Sequence, residues 1–409
     1  MSATDNAIRW AHYSRRSMQR LGFIKWVLSC ASTSRAQSLE SLSRAFASRV
    51  SLRGPIPGEF AERFDRFVTL LKLQRRYELG AETAELQDLL LSDDSLPSQS
   101  GSITGDIDAE GYRHTVHVEV PTWATRLDLL RENSHTLTER GRVLLMLDPS
   151  FGSRAASLRE GQLGRNPMSL DPAERFAFLF VLLDSDGDLI REMLGRLARN
   201  GEFNRALAGI AALEGLKALR AARLSSATSG KLLQLRVHCD RVIKSMEDQK
   251  PSGMGPRESV VTPRTEPLVD CLVLEKPSPG SYEYRFTAWG AKFVEALTSA
   301  PSVSTFVLNG LAACVAESVG KSISPQPPTL DAAVPAYSRL RSGMGYVSMR
   351  ELSMAVVAEA FRNERPLHEI ASVEGAIASG TKDRRVRLAA GRVPGRPQVR
   401  IDLSPTGAM

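Results

Sequence analysis

The sequence contains few of the residues on which most catalytic sites depend. Its 409 residues include only six histidines and four cysteines, and the cysteines are far apart, with no CxxC pair. Neither a GxSxG signature nor a cysteine–histidine signature is present, so acid–base and covalent catalysis have little support. The sequence therefore predicts no enzyme, no cofactor and no metal site, and the cysteine spacing favours a reduced, cytoplasmic protein.

Long apolar runs are also absent. No uncharged apolar stretch reaches the length of about 18 residues that a membrane-spanning helix needs, so we expect no membrane partner. Residues 15–32 combine arginines, an apolar run and Cys30 in the manner of an export signal. Because Lys25 interrupts that run, we expect no signal peptide.

Four short motifs suggest ligand sites, but each lacks an essential residue. AESVGKS (316–322) has Val315 where a phosphate-binding loop needs glycine. Counted from Asp184, DSDGD (184–188) is followed by Leu189 at the sixth position, where a calcium loop needs glycine, and by Gly195 at the twelfth, where it needs glutamate, so a polar turn between two helices is expected. HTVHVE (114–119) has no third histidine or cysteine nearby and no HExxH order. Glu275 and Lys276 are adjacent instead of alternating as in a nuclease strand.

Positive charge, in contrast, is plentiful at both ends of the chain. The net charge is +7; residues 1–53 hold nine basic residues against two acidic ones, and residues 382–402 hold seven against two. This asymmetry indicates a polyanionic partner, nucleic acid before membrane. Near the N-terminus, Arg15, Arg16 and Arg20 alternate with aromatic residues, which suits phosphate contact and stacking. The alternative is an ordinary amphipathic helix whose apolar side packs against the body.

The apolar periodicity predicts a mainly α-helical chain with small β-hairpins. We divide it into basic N-terminal helices (1–53), a first module (54–150), a helical middle with a second module (171–300) and a C-terminal module (330–409). The helices predicted after residue 58 include 59–91, 172–183, 188–200, 202–222, 225–248, 302–319, 346–363 and 366–379. An arginine-rich hairpin around VPGRP ends the chain.

One local pattern occurs twice, as TLTERG (136–141) and YRFTAWG (284–290). Each predicts the end of a strand, a threonine N-cap and a helix with glycine in its first turn. The threonine hydroxyl accepts from a free N–H group of that turn. The glycine removes a side chain where the helix presses against the strand it has just left.

These two corners resemble the winged-helix variant of the helix-turn-helix, in which a Y-x-(L/F)-T-x-x-G corner commonly closes the hairpin, or wing. The first copy leaves only residues 133–136 for its turn and first wing strand, so its wing would be rudimentary. The C-terminal module matches in shape, since two helices precede its hairpin. The resemblance covers about half of the chain and implies two to three winged-helix modules joined by a helical middle region.

The resemblance also implies which residues contact duplex DNA, because a winged helix places one helix in the major groove and its wing on the backbone. The implied contacts in the second module are Ser259, Thr262, Arg264 and Thr265 on the helix, with Lys276, Ser278 and Ser281 on the wing. Those in the C-terminal module are Lys382, Arg385, Arg387, Arg392, Arg396 and Arg400. The alternative is that these residues form solvated surfaces and that the modules dock on protein.

The sequence thus predicts a non-enzymatic protein that binds duplex DNA mainly through phosphates, with weak sequence preference. We expect a cytoplasmic, nucleoid-associated subunit of a bacterial DNA-handling or antiviral defence assembly, able to form oligomers through the helices of 172–248. One alternative is a scaffold similar to the kleisin subunits of SMC-type complexes, whose winged helices hold protein partners. A transcription repressor is a second alternative.

Overall fold

A computed structural model of the protein describes residues 21, 24, 25, 28, 120–131, 136–148, 170–228, 230–248, 256–277, 282–341, 343, 345–363, 365–391 and 397–403. Within these residues the fold is mainly helical and includes two small antiparallel sheets. The helices are α1 (Val120–Arg126), α2 (Glu139–Leu147), α3 (Pro172–Leu197), α4 (Arg205–Leu224), α5 (Gly230–Glu247), α6 (Pro256–Asp270), α7 (Ala288–Ser299), α8 (Val303–Asn309), α9 (Leu311–Glu317), α10 (Val334–Leu340), α11 (Met349–Arg362) and α12 (Ile370–Ser379). The strands are β1 (Glu202–Asn204), β2 (Leu274–Glu275), β3 (Glu283–Phe286), β4 (Val347–Ser348), β5 (Val386–Ala389) and β6 (Gln398–Ile401).

Helix α3 begins where the sequence predicted. The backbone N–H of Glu174 donates to Asp171 Oδ1 at 2.8 Å, and that of Asp171 donates to Glu174 Oε2 at 2.8 Å, which forms a reciprocal capping box with Pro172 at the first helical position. The helix does not end at residues 184–188, where a turn was predicted. It continues to Leu197 through a kink at Asp186, whose φ of −141° is not helical.

The three aspartates at this kink, which we call the aspartate cluster, each bind an arginine from a different helix. The pairs are Asp184 with Arg140 of α2 at 2.6 Å, Asp186 with Arg264 of α6 at 2.5 Å, and Asp188 with Arg223 of α4. The aspartates that make this motif look like a calcium loop therefore attach three helices to α3 through ion pairs. Buried pairs of this kind are costly to break from one side, since the remaining charge stays buried without its partner.

Asp186 and Gly187 both lie in close contacts at the kink. Asp186 is almost completely buried beside Arg264, and burial raises its pKa to about 7 although the guanidinium opposes that rise. A Cβ atom at Gly187 would lie 2.4 Å from Cγ1 of Val303, so only glycine lets α8 approach α3 this closely.

The repeated corner has the geometry that its sequence predicted. The N–H of Gly141 donates to Thr138 Oγ1 at 3.0 Å, and the N–H of Gly290 donates to Thr287 Oγ1 at 2.8 Å. A Cβ atom at Gly141 would lie 2.2 Å from the carbonyl oxygen of Leu129, and one at Gly290 would lie 1.8 Å from the carbonyl oxygen of Val273. The threonine caps and the glycine contacts are thus confirmed in both copies.

The likeness of the two copies extends to the end of the preceding helix. Asp128 and Leu272 both adopt a left-handed backbone conformation, with φ of 58° and 61°. The threonine hydroxyl of each corner donates to the carbonyl oxygen of that residue, at 2.6 Å and 2.7 Å. Among the described residues of the first copy, a single bridge between Leu130 and Leu137 stands where the second copy has a hairpin.

Both sheets have three strands with the same topology. The strand orders are β1-β3-β2, the middle sheet, and β4-β6-β5, the C-terminal sheet, so the second hairpin strand is central in each. The hairpins were predicted, but the short first strands were not. In particular, residues 202–204 were predicted as the start of a helix and instead form β1, because Asn204 caps α4 through a bond from the N–H of Leu207.

The predicted helix over 59–91 lies outside the described residues. Most of the other predicted helices agree with the structure, with one clear exception. The sequence predicted a single helix over 302–319, whereas the structure has α8 and α9 with Gly310 between them at a non-helical φ of −149°. The break divides the predicted helix into two helices of seven residues each.

The buried apolar residues form one connected core that runs from Leu21 to Ile401. Near the N-terminus, Leu21, Ile24 and Leu28 are fully buried, as the amphipathic-helix alternative requires. Lys25 lies among them and binds Asp148 at 2.9 Å and Glu174 at 2.7 Å. The lysine that interrupts the apolar run is therefore an internal ion-pair residue.

Candidate nucleic-acid interface

The exposed face of the C-terminal sheet carries the strongest candidate site. Side chains alternate between the two faces of a strand. Val386, Val399 and Ile401 are buried against the helices, whereas Arg387 and Arg400 are exposed on the other face. The β-hairpin thus buries Val386, Val399 and Ile401 and turns these two arginines toward solvent, while Leu388 of β5 is also exposed.

Arg387 and Arg400 are direct cross-strand partners in the register of β5 and β6. Two like charges at opposed positions destabilise a hairpin. Among the described residues, neither arginine has a carboxylate within ion-pair distance. Lys382 is exposed as well, and only Arg385 of this group is paired, with Asp331 at 2.7 Å. Among the described residues the cross-strand arginine pair therefore has no ion-pair partner, although the exposed Asp402 follows Arg400 by two positions.

Helix α12, which precedes the hairpin, contributes no positive charge to this face. It buries Ile370, Val373 and Ile377. Its one acidic residue, Glu374, accepts from Nε of Arg350 at 2.7 Å. The exposed positions are the small and uncharged Ser372, Gly375 and Ser379, so the helix has little with which to recognise base edges.

The C-terminal module is fastened to the rest of the molecule by carboxylates that accept backbone N–H groups. Glu139 Oε2 accepts from the N–H of Ser348 in β4 at 2.7 Å, and Glu369 Oε1 accepts from the N–H of Ala313 in α9 at 3.1 Å. Burial raises the pKa of Glu369 to about 7, although backbone N–H groups of α9 lower it. These contacts hold the basic hairpin in a fixed position.

The structure corrects the prediction for the helix of the second module. Thr262, Arg264 and Thr265 lie in α6 and are 6%, 1% and 0% exposed, so they have no surface to offer to DNA. Helices α4 and α5 pack over this part of α6, and Arg264 is the partner of Asp186. The three predicted recognition residues are therefore core residues, and Arg264 is held there by its ion pair with Asp186.

The predicted wing of the second module has one described basic contact residue, Lys276, and its charge is paired. Lys276 lies at the end of β2, where its Nζ binds Glu266 at 2.8 Å. The same carboxylate accepts from the hydroxyl of Tyr284 at 2.7 Å, and burial and the nearby negative charge raise the pKa of that tyrosine well above its ordinary value. Lys276 therefore neutralises the buried Glu266 and offers little positive charge to a ligand at the surface.

The remaining predicted contacts lie outside the described residues. They are the side chain of Ser259 and residues Arg15, Arg16, Arg20, Ser278, Ser281, Arg392 and Arg396. Of the predicted DNA contacts whose side chains are described, the structure brings together Arg387 and Arg400 as a pair, with Arg385 on the same strand face and Lys382 just before the hairpin.

Other kinds of site find no support in the part of the chain that the structure describes. Its histidines, cysteines and acidic residues form no group of three or more that could hold a metal ion. None of its helices combines the length and apolar character that a membrane span requires. Comparison with known proteins found no family model, curated protein or solved structure that matches the chain.

Proposed function

We propose that this protein binds duplex DNA through its C-terminal module, mainly by contacts with the phosphate backbone. The observation that carries this proposal is the exposed cross-strand pair Arg387 and Arg400, which has no acidic partner among the described residues. Such a pair opposes hairpin formation until a polyanion lies against it. A DNA backbone, with its dense row of phosphates, supplies that charge.

The topology supports treating the middle and C-terminal regions as winged-helix modules. In each region a helix leads directly into a hairpin whose second strand is central, and an earlier short strand completes the sheet. In this interpretation α12 is the helix beside the wing of the C-terminal module. The middle module keeps the same plan, but its α6 is covered and serves the core.

We further propose that the binding has weak sequence preference. Recognition of base edges relies on side chains such as arginine, asparagine and glutamine in the groove. The exposed residues of α12 are serine and glycine, and the charge lies on the neighbouring hairpin. This division favours backbone contact over base contact.

A non-enzymatic scaffold that holds protein partners is the second candidate, and one observation favours it. The small, uncharged exposed surface of α12 suits close packing against another helix as well as it suits a groove. In either role the chain would act as a subunit of a larger DNA-handling or defence assembly.

The deciding experiment is a titration of the full chain with a random duplex across a salt series. The wild type should bind with an affinity that falls steeply with salt. Arg387→Ala/Arg400→Ala should bind about 10- to 100-fold more weakly at low salt, with a salt slope smaller by about 2.

The matched control is Arg199→Ala/Arg241→Ala, which removes the same charge from exposed positions in the helical middle. It should change the affinity little. Salt-independent or negligible binding by the wild type would favour the scaffold. An equal loss in both double variants would show that net charge, and not the hairpin, governs binding.

A further inference from the structure

An aromatic residue completes the row of side chains to which the two arginines belong. Val347 of β4 pairs with Val399 of β6, and the next residues toward the loop are Tyr346 and Arg400. Continuing the antiparallel register by one residue places them opposite each other. Since Arg387 is opposite Arg400 on the other side, one row across the sheet reads Tyr346, Arg400, Arg387. Opposed residues share a face.

The loop before β4 lies directly against Arg400. A Cβ atom at Gly345 would be 3.8 Å from Nε of Arg400. The hydroxyl of Tyr337 donates to the carbonyl oxygen of Gly345 at 2.6 Å, and Gly345 takes a φ of 78° that glycine adopts without strain. The turn is thereby held so that the tyrosine after it meets the sheet beside the arginine.

Tyr346 itself has capacity for a ligand. Its side chain is partly exposed, and among the described residues it makes no hydrogen bond or ring contact. A row of three positions spans two strand spacings, roughly 10 Å. An aromatic ring beside two cations suits a base next to two phosphates, the combination by which proteins bind unpaired nucleotides.

We propose that this face binds an unpaired nucleotide next to a duplex, with the base stacked on Tyr346 and phosphates at Arg400 and Arg387. The inference rests on the proposed function, since it refines which nucleic acid the hairpin binds. A blunt duplex keeps its bases stacked inside and offers none to the ring, whereas an overhang, gap or junction does.

The experiment compares two probes on the full chain by fluorescence anisotropy: a blunt duplex, and the same duplex with a single-stranded extension. We expect the wild type to prefer the extended probe about 10-fold, as one stacked base would provide. Tyr346→Ala should lose this preference while its affinity for the blunt probe stays unchanged. Tyr346→Phe, which keeps the ring, should retain the preference.

Thermal unfolding of each variant checks that the folded state persists, and Tyr346→Leu serves as a second variant that keeps apolar bulk without an aromatic ring. It should behave like Tyr346→Ala. Equal binding of both probes by the wild type, or an unchanged preference in Tyr346→Ala and Tyr346→Leu, would overturn this inference and leave duplex binding intact. Absence of binding to either probe would overturn the proposed function together with it.

Discussion

The middle and C-terminal sheets have the same strand order but differ in the charges that stand opposite the arginine of the central strand. Each has an arginine on its central strand. In the middle sheet Arg285 stands opposite Glu202 on one side and Glu275 on the other, and its Nε lies 2.6 Å from Glu275 Oε1. In the C-terminal sheet Arg400 has Arg387 opposite it on one side, and no acidic residue is paired with either arginine in the register of the strands. The same scaffold is neutralised in one place and left cationic in the other.

The helices that precede the two hairpins differ in a matching way. Helix α6 is buried, and its Arg264 and Glu266 bind charges inside the molecule. Helix α12 buries one side only and leaves small residues on the other. A shared strand order therefore does not mean shared surroundings: the helix before the hairpin is buried in the middle module and exposed on one side in the C-terminal module.

Removing the buried charge of the middle module should give the largest effect. Arg264→Met leaves Asp186 buried without its partner, and we expect the free energy of unfolding to fall by about 3–5 kcal/mol. Urea denaturation followed by circular dichroism measures this loss. DNA affinity per folded molecule should stay unchanged, because Arg264 lies in the core.

The control is the double variant Arg264→Met/Asp186→Asn, which removes both charges. It should recover a substantial part of the lost stability, since no ion is then buried alone. If Arg264→Met weakened DNA binding without loss of stability, Arg264 would be a contact residue and the contrast between the two modules would disappear.

The corner glycine should give the next largest effect. In Gly290→Ala the new methyl group meets the carbonyl oxygen of Val273, and we expect a loss of about 2–3 kcal/mol in the free energy of unfolding. Gly375→Ala in α12 is the matched control, because a Cβ atom there has open space around it. That variant should be more stable than the wild type by about 0.5–1 kcal/mol. Equal effects in the two variants would mean that the close contact in the corner has no energetic weight.

The features that could be predicted from the sequence are those that depend on neighbouring residues. The capping box at Asp171 and the threonine–glycine corners are set within a few positions, and all are present. The short strands could not be predicted, because β1 exists only by pairing with β3, far along the chain. The turn predicted at the aspartate cluster was replaced by a kinked helix for a similar reason: its acids bind arginines that are distant in sequence.

The candidate site follows the same division. The exposed arginines of the hairpin could be found from composition and strand alternation. Arg264 looked equivalent to them, since nothing near it in sequence reveals that Asp186 takes its charge. Tyr346 was missed because it reaches the sheet face only through the register of β4, although the glycines at 343 and 345 followed by an aromatic and a β-branched residue are typical of a strand start.

Giving the C-terminal sheet the charge pattern of the middle sheet tests the comparison directly. In Arg387→Glu the new carboxylate stands opposite Arg400, as Glu275 stands opposite Arg285. We expect duplex affinity to fall about 10- to 100-fold at low salt, because one phosphate contact is lost and a repulsive charge is added. Stability should rise by up to about 1 kcal/mol, because an opposed like-charge pair becomes an ion pair. The reciprocal variant Glu275→Arg should lower stability by a similar amount, and its effect on affinity should be smaller than that of Arg387→Glu. Weaker binding together with a lower melting temperature in Arg387→Glu would mean that the substitution damages the hairpin itself. Weaker binding together with a higher melting temperature would show that Arg387 lowers the stability of the free protein and contributes to DNA affinity, as we expect of an opposed like-charge pair.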